Sequence, residues 1–371
     1  MHPALRDTRT SLCSGGWTRS GRGGCGCGQC ALHAHSNRTH THRCQNHMPL
    51  SEFQLIAHYF TRQSVARDDV ALGIGDDAAL LRVPNGQSLA VSIDTLVEGV
   101  HFLPDIAPAD LGYRALAVNL SDLAAMGAQP AWATLAITVP HVDETWLAQF
   151  SSGFFELAQQ HDVQLVGGNT TRGPLSISVQ VHGFVPETDA LRRSGAQPGD
   201  LIFVTGTLGD AAIGLQVALR QIVLTSEQAQ LAAQRWLRPV PRIAEGLALR
   251  GIASACIDIS DGLLADLGHV CAASQVGARI IVDQVPVSTL FNSVGRGDWN
   301  LPLSAGDDYE LCFTAAPHQR ARIEKLMGSF TCGVTCVGVI ESTPGLRCAM
   351  HDGRPFAPEI QGYDHFQRPI S

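Results

Sequence analysis

Gly73-Ile74-Gly75-Asp76-Asp77 sets two adjacent carboxylates on a glycine turn. The same grammar recurs along the chain. An apolar, strand-like run meets small residues and then acids at Val91-Ser92-Ile93-Asp94-Thr95, at Asn119-Leu120-Ser121-Asp122, at Ile257-Asp258-Ile259-Ser260-Asp261-Gly262 and at Ala305-Gly306-Asp307-Asp308-Tyr309-Glu310. Taken singly, a Gly-Asp or Ser-Asp step marks a turn or a helix N-cap. Taken as a set, five such loops argue for a shared site. Converging carboxylates repel one another unless protons or cations intervene, so the site they would build is one for hard divalent ions. Mg²⁺ fits best, because it takes oxygen ligands, keeps several waters and bridges carboxylates to substrate phosphates.

Outward from these loops, the fold class reads as mixed α/β in two domains. Short β-rich runs at Ala79 to Val83 and Leu89 to Ile93 flank a Pro84-Asn85-Gly86 turn, and a helix is expected from about Asp110 to Met126. Strands at Ala131 to Val139 and Leu175 to Val185 enclose a helix around Glu144 to Gln160, and Ser51 to Tyr59 reads as an N-capped amphipathic helix. The turn-rich stretch Arg193 to Asp200 leads into a second series that starts with a strand at Leu201 to Thr205 and includes an apolar-periodic helix from Leu263 to Val270. These signals place a first domain at 48–186 and a second at 187–371. Residues 1–47 differ from both: they hold five of eleven cysteines, six of fifteen histidines and six arginines, with Asp7 as the one acid. That stretch reads as a disordered or over-extended leader, because its cysteines follow no zinc-ribbon spacing.

Charge excludes several partners. The chain carries a formal −8, and removing the leader's +5 leaves −13. No basic field exists to draw in nucleic acid or an anionic membrane. No apolar run reaches the roughly 18 residues of a membrane span, and the N-terminus is unlike a secretory signal, so the cytoplasm is the expected compartment. All basic residues but Lys325 are arginines. A P-loop needs Lys after its glycines and a protein kinase needs one on an N-lobe strand, so neither framework is present. If ATP binds, metal and arginine must neutralise its phosphates. The stretch from Gly73 to Ala78 also fits a G-x-G-x-x-A dinucleotide fingerprint with Asp94 about 20 residues on, but two aspartates would then occupy the place where a pyrophosphate needs amide dipoles.

In their order and spacing, Gly73 to Ala79, Asp94 to Phe102, Ala117 to Gly127, Gly167 to Gly173, Asp258 to His269 and Gly306 to Phe313 resemble the bacterial thiamine-monophosphate kinases. The resemblance spans Met48 to the C-terminal Gly362-Tyr363-Asp364-His365-Phe366. It implies the two-domain fold of the aminoimidazole ribonucleotide synthetase-like superfamily, with an N-terminal mixed sheet that dimerises and a C-terminal α/β domain. It implies direct in-line phosphoryl transfer from ATP to thiamine phosphate with several Mg²⁺ ions, the last step of thiamine diphosphate formation. By the same resemblance, metal ligands fall on Asp77, Ser92, the backbone at Ile93, Asp94, Asp122, Asn169, Asp258 and Asp261, of which Asp77, Asp122 and Asp261 are assigned to catalysis. Nucleotide contacts fall on Gly168, Asn169, Arg193 and Ser260, and substrate contacts on His101, Asp307 and Tyr363.

Two departures from the family pattern stand out. Asn169 replaces an aspartate, so one Mg²⁺ is expected to bind more weakly or through water; Asp307 stands where many relatives carry the longer glutamate. Selenophosphate synthetase would want an early lysine, and the hydrogenase-maturation relative would end in a reactive cysteine. Neither feature is present. Aminoimidazole ribonucleotide synthetase and a non-catalytic Mg²⁺-nucleotide sensor are the competing readings.

Overall fold

The computed structural model describes residues 51–61, 64–295, 297–359 and 362. The leader and Tyr363 therefore lie outside the described residues. The described residues form one compact unit.

Ser51 opens the first helix, α1 (Glu52–Leu55), through a capping box with Gln54, and the chain then widens into a π-turn over Ile56–Phe60. The expected α-helix over Ser51 to Tyr59 is thus α-helical only in its first turn. A small antiparallel pair follows, β1 (Val70–Leu72) with β2 (Leu80–Leu81), and the acidic glycine turn lies between them. The strand expected from Ala79 to Val83 shrinks to two residues, because Pro84 and the turn after it end the pairing early.

The N-terminal sheet consists of β3 (Gln87–Val97), β4 (Gln129–Val139), β5 (Gln164–Arg172) and β6 (Ser176–Pro186), in the order β3-β6-β4-β5. Helix α2 (Pro108–Ala125) and α3 (Glu144–Gln160) cover one face. Pro108 suits the first turn of α2, where its missing N–H costs nothing. Asp143 caps α3 by accepting from Thr145 and Trp146. Strand β5 carries no strand signal in sequence, since Gly167-Gly168-Asn169 interrupts any alternation. It is held from outside: Gly168 lies so close to β4 that a Cβ there would sit 1.9 Å from the Leu135 carbonyl oxygen.

Helix α2 is buried on nearly all sides, which matches its near-continuous run of Leu, Ala and Val. Where α2 crosses α3, a Cβ on Gly112 would sit 2.0 Å from the Phe150 oxygen, and one on Gly153 1.8 Å from the Ala109 oxygen. Backbone meets backbone at this crossing.

The C-terminal half builds a seven-stranded sheet from β7 (Leu201–Thr205), β8 (Ala255–Asp258), β9 (Gly277–Ile281), β10 (Leu311–Ala315), β11 (Val334–Glu341), β12 (Gly345–Ala349) and β13 (Pro355–Phe356), ordered β13-β12-β9-β11-β7-β10-β8. Its helices are α4 (Asp210–Ala218), α5 (Ser226–Leu237), α6 (Ile243–Ala248), α7 (Leu263–Ser274), α8 (Thr289–Val294), α9 (Asn300–Ser304) and α10 (Arg320–Met327). Helix α6 reaches back to α2, where a Cβ on Gly246 would lie 2.0 Å from the Ala124 oxygen. The largest core cluster consequently runs through both halves, from Leu116 and Leu120 to Phe203 and Phe313.

Candidate active site

The acidic loops of the two halves meet across α2. From the N-terminal side, β3 supplies Asp94, whose backbone N–H donates to Asn119 Oδ1 at 2.9 Å. Asn119 in turn donates to the Ala115 carbonyl one turn back, so the amide fixes β3 against the helix. Asp122 follows on α2 and accepts from Ser92 Oγ at 2.5 Å, while Ser121 donates to the buried Asp258 at 2.7 Å. From the C-terminal side, the loops 258–262 and 306–310 are zipped through their backbones. Ile259 donates to Glu310, Tyr309 to Ile259 and Asp307 to Ser260, each at 2.8 Å.

Neither Asp258 nor Asp261 caps α7; the N-cap is Gly262. The loop is shaped instead by Asp266, whose buried Oδ2 accepts from the backbone N–H groups of Ser260, Asp261 and Gly262 at 3.0 to 3.1 Å. Asp308 also faces inward, accepting from the Gly209 N–H at the start of α4.

One cavity of about 500 Å³ is lined by Asp94, His101, Asp122, Arg193, Asp258, Ser260, Asp261, Asp307 and Tyr309. A neighbouring hollow shares Asp122, Arg193 and Asp258 and adds Ser92. Ile93, expected to ligate through its backbone, lies between Ser92 and Asp94 on β3. A different cavity of about 590 Å³ holds Asp76, Asp77, Gly168 and Asn169. Since β3 and β5 are opposite edges of the N-terminal sheet, one chain does not bring these last residues to the Asp94 cavity. Within the glycine turn, Asp76 accepts from the Asp77 N–H at 2.8 Å, which orients the second carboxylate.

The main cavity is short of positive charge. Burial and then the nearby Asp122 and Asp261 push Asp94 up to about 6. Burial, followed by Asp122, lifts Asp258 to about 7, and burial raises Asp122 despite the Ser92 bond and Arg193. Burial also carries Asp266 to about 8. His101 accepts the Val97 N–H at Nδ1, 3.0 Å away, so the neutral ring carries its proton on Nε2. Among the described residues no three carboxylate, His or Cys side chains gather closely enough to chelate a bare ion. Such a donor set suits Mg²⁺ held by one or two carboxylates, water and phosphate oxygens.

Sequence reasoning missed Arg114, Ser121, Asp266 and the ion pair between Glu310 and Arg242. Arg114 offered one signal: it is the single charge in the apolar run from Leu111 to Ser121.

Comparison with known proteins agrees with this architecture. The family model of the AIR synthase related protein N-terminal domain matches residues 75–185, and that of its C-terminal domain matches 197–351. The thiamine-monophosphate kinase of Salmonella typhimurium is 52% identical over 327 residues, covering 87% of this chain and all of that protein. The Bacillus subtilis enzyme is 33% identical over 326 residues, covering 86% of this chain and all of that protein. Among solved structures, the thiamine-monophosphate kinase of Stenotrophomonas maltophilia superposes with TM-score 0.74 at 48% identity, covering 78% of this chain and 93% of that one. A structure described as AaThiL complexed with AMPPCP and TMP follows with TM-score 0.68 at 30% identity over 77% and 89%. The cavity with its carboxylates, the two matched domains and the near-full-length identity give one answer: the chain belongs to the AIR synthase related family and, within it, to the thiamine-monophosphate kinases.

Proposed function

We propose that the chain transfers the terminal phosphoryl group of ATP to thiamine monophosphate, yielding thiamine diphosphate and ADP by direct in-line displacement. The observation that carries this is the meeting of Asp94, Asp122, Asp258 and Asp261 with Arg193 in one cavity, in a chain about half identical to thiamine-monophosphate kinases. Mg²⁺ bound at these carboxylates would neutralise the phosphate charge as it shifts between donor and acceptor.

The chain's own side chains position and shield. Arg193 offers a planar fork of donors to phosphate oxygens. Ser260 lies between Asp258 and Asp261 in the loop whose amides Asp266 gathers. His101, with its proton on Nε2, donates toward the acceptor, and Asp307 and Tyr363 take the remaining substrate contacts. A phosphate monoester is already anionic near neutral pH, so no general base is needed.

Cytoplasmic location belongs to this reading, as does a homodimer built through the N-terminal domains, residues 48–186, with 187–371 as the second domain. Two features support the dimer. Strands β3 and β5 are both open edges, and Leu89, Val91 and Ile93 present an exposed apolar row on β3. Pairing β3 of one copy with β5 of another would bring Asp77, Gly168 and Asn169 of one chain toward the Asp94 cavity of its partner. The split of the predicted ligands between two cavities is then what a shared site requires.

The direct test is purified protein with ATP, Mg²⁺ and thiamine monophosphate, with thiamine diphosphate detected by chromatography. Product is expected; ATP binding without product at any Mg²⁺ level would favour the sensor reading.

The raised carboxyls predict a pH dependence. Asp94 and Asp258 keep protons in the folded state, near 6 and 7, that the unfolded chain releases near 3.8. Between those limits the native state binds more protons, so the contribution of these groups to stability falls as pH rises and is least above pH of about 7. A cation at the carboxylates reverses this, so Mg²⁺ should raise Tm more near pH 8 than near pH 5.5. Equal Tm shifts at the two pH values would remove these carboxylates from the Mg²⁺ site.

A further inference from the structure

Arg114 is a charged residue where the sequence calls for an apolar one. It sits on α2 with 1% of its side chain exposed. Its guanidinium lies 5.9 Å from the Trp236 ring centre and 5.8 Å from that of Tyr309, donates to the Trp236 carbonyl oxygen, and leaves Nε without a partner among the described residues. Burying a guanidinium with an unsatisfied N–H is costly, and a hydrophobic residue of similar volume would fill the space at less cost.

The compensating contact runs to the substrate side of the cavity. Nη2 of Arg114 donates to Asp307 Oδ1 at 2.7 Å, and the Tyr309 hydroxyl donates to the same oxygen at 3.3 Å. Both bonds fall on Oδ1, so Oδ2 is the oxygen left for a ligand. The backbone here is strained, with φ of 64° at Asp307 and 51° at Tyr309, a region that costs non-glycine residues energy and persists only where surroundings over-determine it. The zipper to Ser260 and Ile259 fixes the main chain, and Arg114 fixes the carboxylate.

Arg114 also shares α2 with Ser121, which holds Asp258, and with Asp122. Seven residues separate Arg114 from Ser121, two turns on one helical face. A single rigid helix thereby touches both the phosphate-side carboxylates and the acid assigned to the acceptor.

We propose that Arg114 is a positioning residue for the phosphate acceptor: it orients Asp307 and sets the spacing between that carboxylate and the phosphate-side carboxylates carried or held by α2. This rests on the reading of Asp307 as a thiamine monophosphate contact. Losing the guanidinium frees the Asp307 side chain to rotate while leaving Asp94, Asp122 and Arg193 in place, so acceptor binding suffers and nucleotide binding does not.

The test compares R114M, R114K, D307N and R114M/D307N in steady-state kinetics, together with binding of a non-hydrolysable ATP analogue in the absence of acceptor. R114M is expected to raise KM for thiamine monophosphate by ~10-fold or more, within the range that orienting partners command. Analogue affinity should stay within about twofold, R114K should recover most of the loss, and the double variant should be no worse than D307N. R114Q, which removes the positive charge and keeps a polar side chain, is expected to raise KM for thiamine monophosphate above that of R114K should R114M be unstable. If analogue affinity falls in step with acceptor affinity, or the two substitutions add, Arg114 is a packing residue and the proposal fails. If D307N leaves KM for thiamine monophosphate unchanged, the assignment of Asp307 fails and the proposal with it, whereas the phosphoryl-transfer reading stands or falls on product formation alone.

Discussion

Asp122→Asn is expected to lower kcat by ~10²–10³-fold or more, the scale seen when a single preorganised charge-stabilising group is removed, while leaving the fold intact. Asp122 lines both the main cavity and the hollow beside it, together with Arg193 and Asp258, so its carboxylate stands where the two spaces adjoin. Asparagine is nearly isosteric and keeps a bond to Ser92. What it removes is one negative charge from a cluster whose members already raise one another. The metal-free variant should therefore melt at the same temperature as the parent or slightly above it. This opposite movement separates a functional carboxylate from a structural one. Near-normal kcat, or a collapse of Tm alongside the lost activity, would take Asp122 out of the role assigned to it.

Glu310→Ala is expected to be the most destabilising single change near the site. Glu310 is 1% exposed and is gripped by Arg242 Nε at 2.6 Å, Arg235 at 3.0 Å and the Thr205 hydroxyl at 2.8 Å. Its neighbour Gly206 has room for no side chain, since a Cβ there would lie 2.1 Å from the Glu310 carboxylate. The arginines hold the Glu310 carboxyl below its ordinary range even though burial opposes them. Truncation leaves the buried Arg242 guanidinium uncompensated, a loss of about 3–5 kcal/mol. Denaturant unfolding of the two proteins reads it, and a change under about 1 kcal/mol would mean the pair contributes no more than a surface bridge. Glu310→Gln, which keeps the volume, should fall between the two.

The parts of the site legible in the sequence are those where local chemistry and tertiary role coincide. Asp94, Asp122, Asp258, Asp261 and Asp307 announce themselves as members of a set, because any one of these loops alone reads as a turn or an N-cap and only their recurrence points to a shared site. The helix over Glu144 to Gln160 and the strand from Leu201 to Thr205 stand where their apolar spacing puts them. Strand β5 does not show, because it is held by β4 rather than by its own propensity. Asp266 reads as one polar residue in an apolar-periodic helix, and only the loop folded onto it reveals three amides on one oxygen. Arg114 and Glu310 acquire meaning from partners more than 60 residues away. The separation of Asp77 and Asn169 from the main cavity could not be read at all, since motif order carries no information about which sheet edge a residue occupies.

Helix α2 is pinned near its start by Gly112 and Gly153 and near its end by Gly246, with main chain against main chain at each crossing. No layer of side chains separates the partners at these points, and side-chain layers are what let packed helices slide or roll past each other. Mechanically, α2 is a shaft in fitted bearings and not a spring. Arg114 and Asp122 therefore belong to a single stiff body, and the distance between the acid bonded to the first and the carboxylate carried by the second is set by the helix itself.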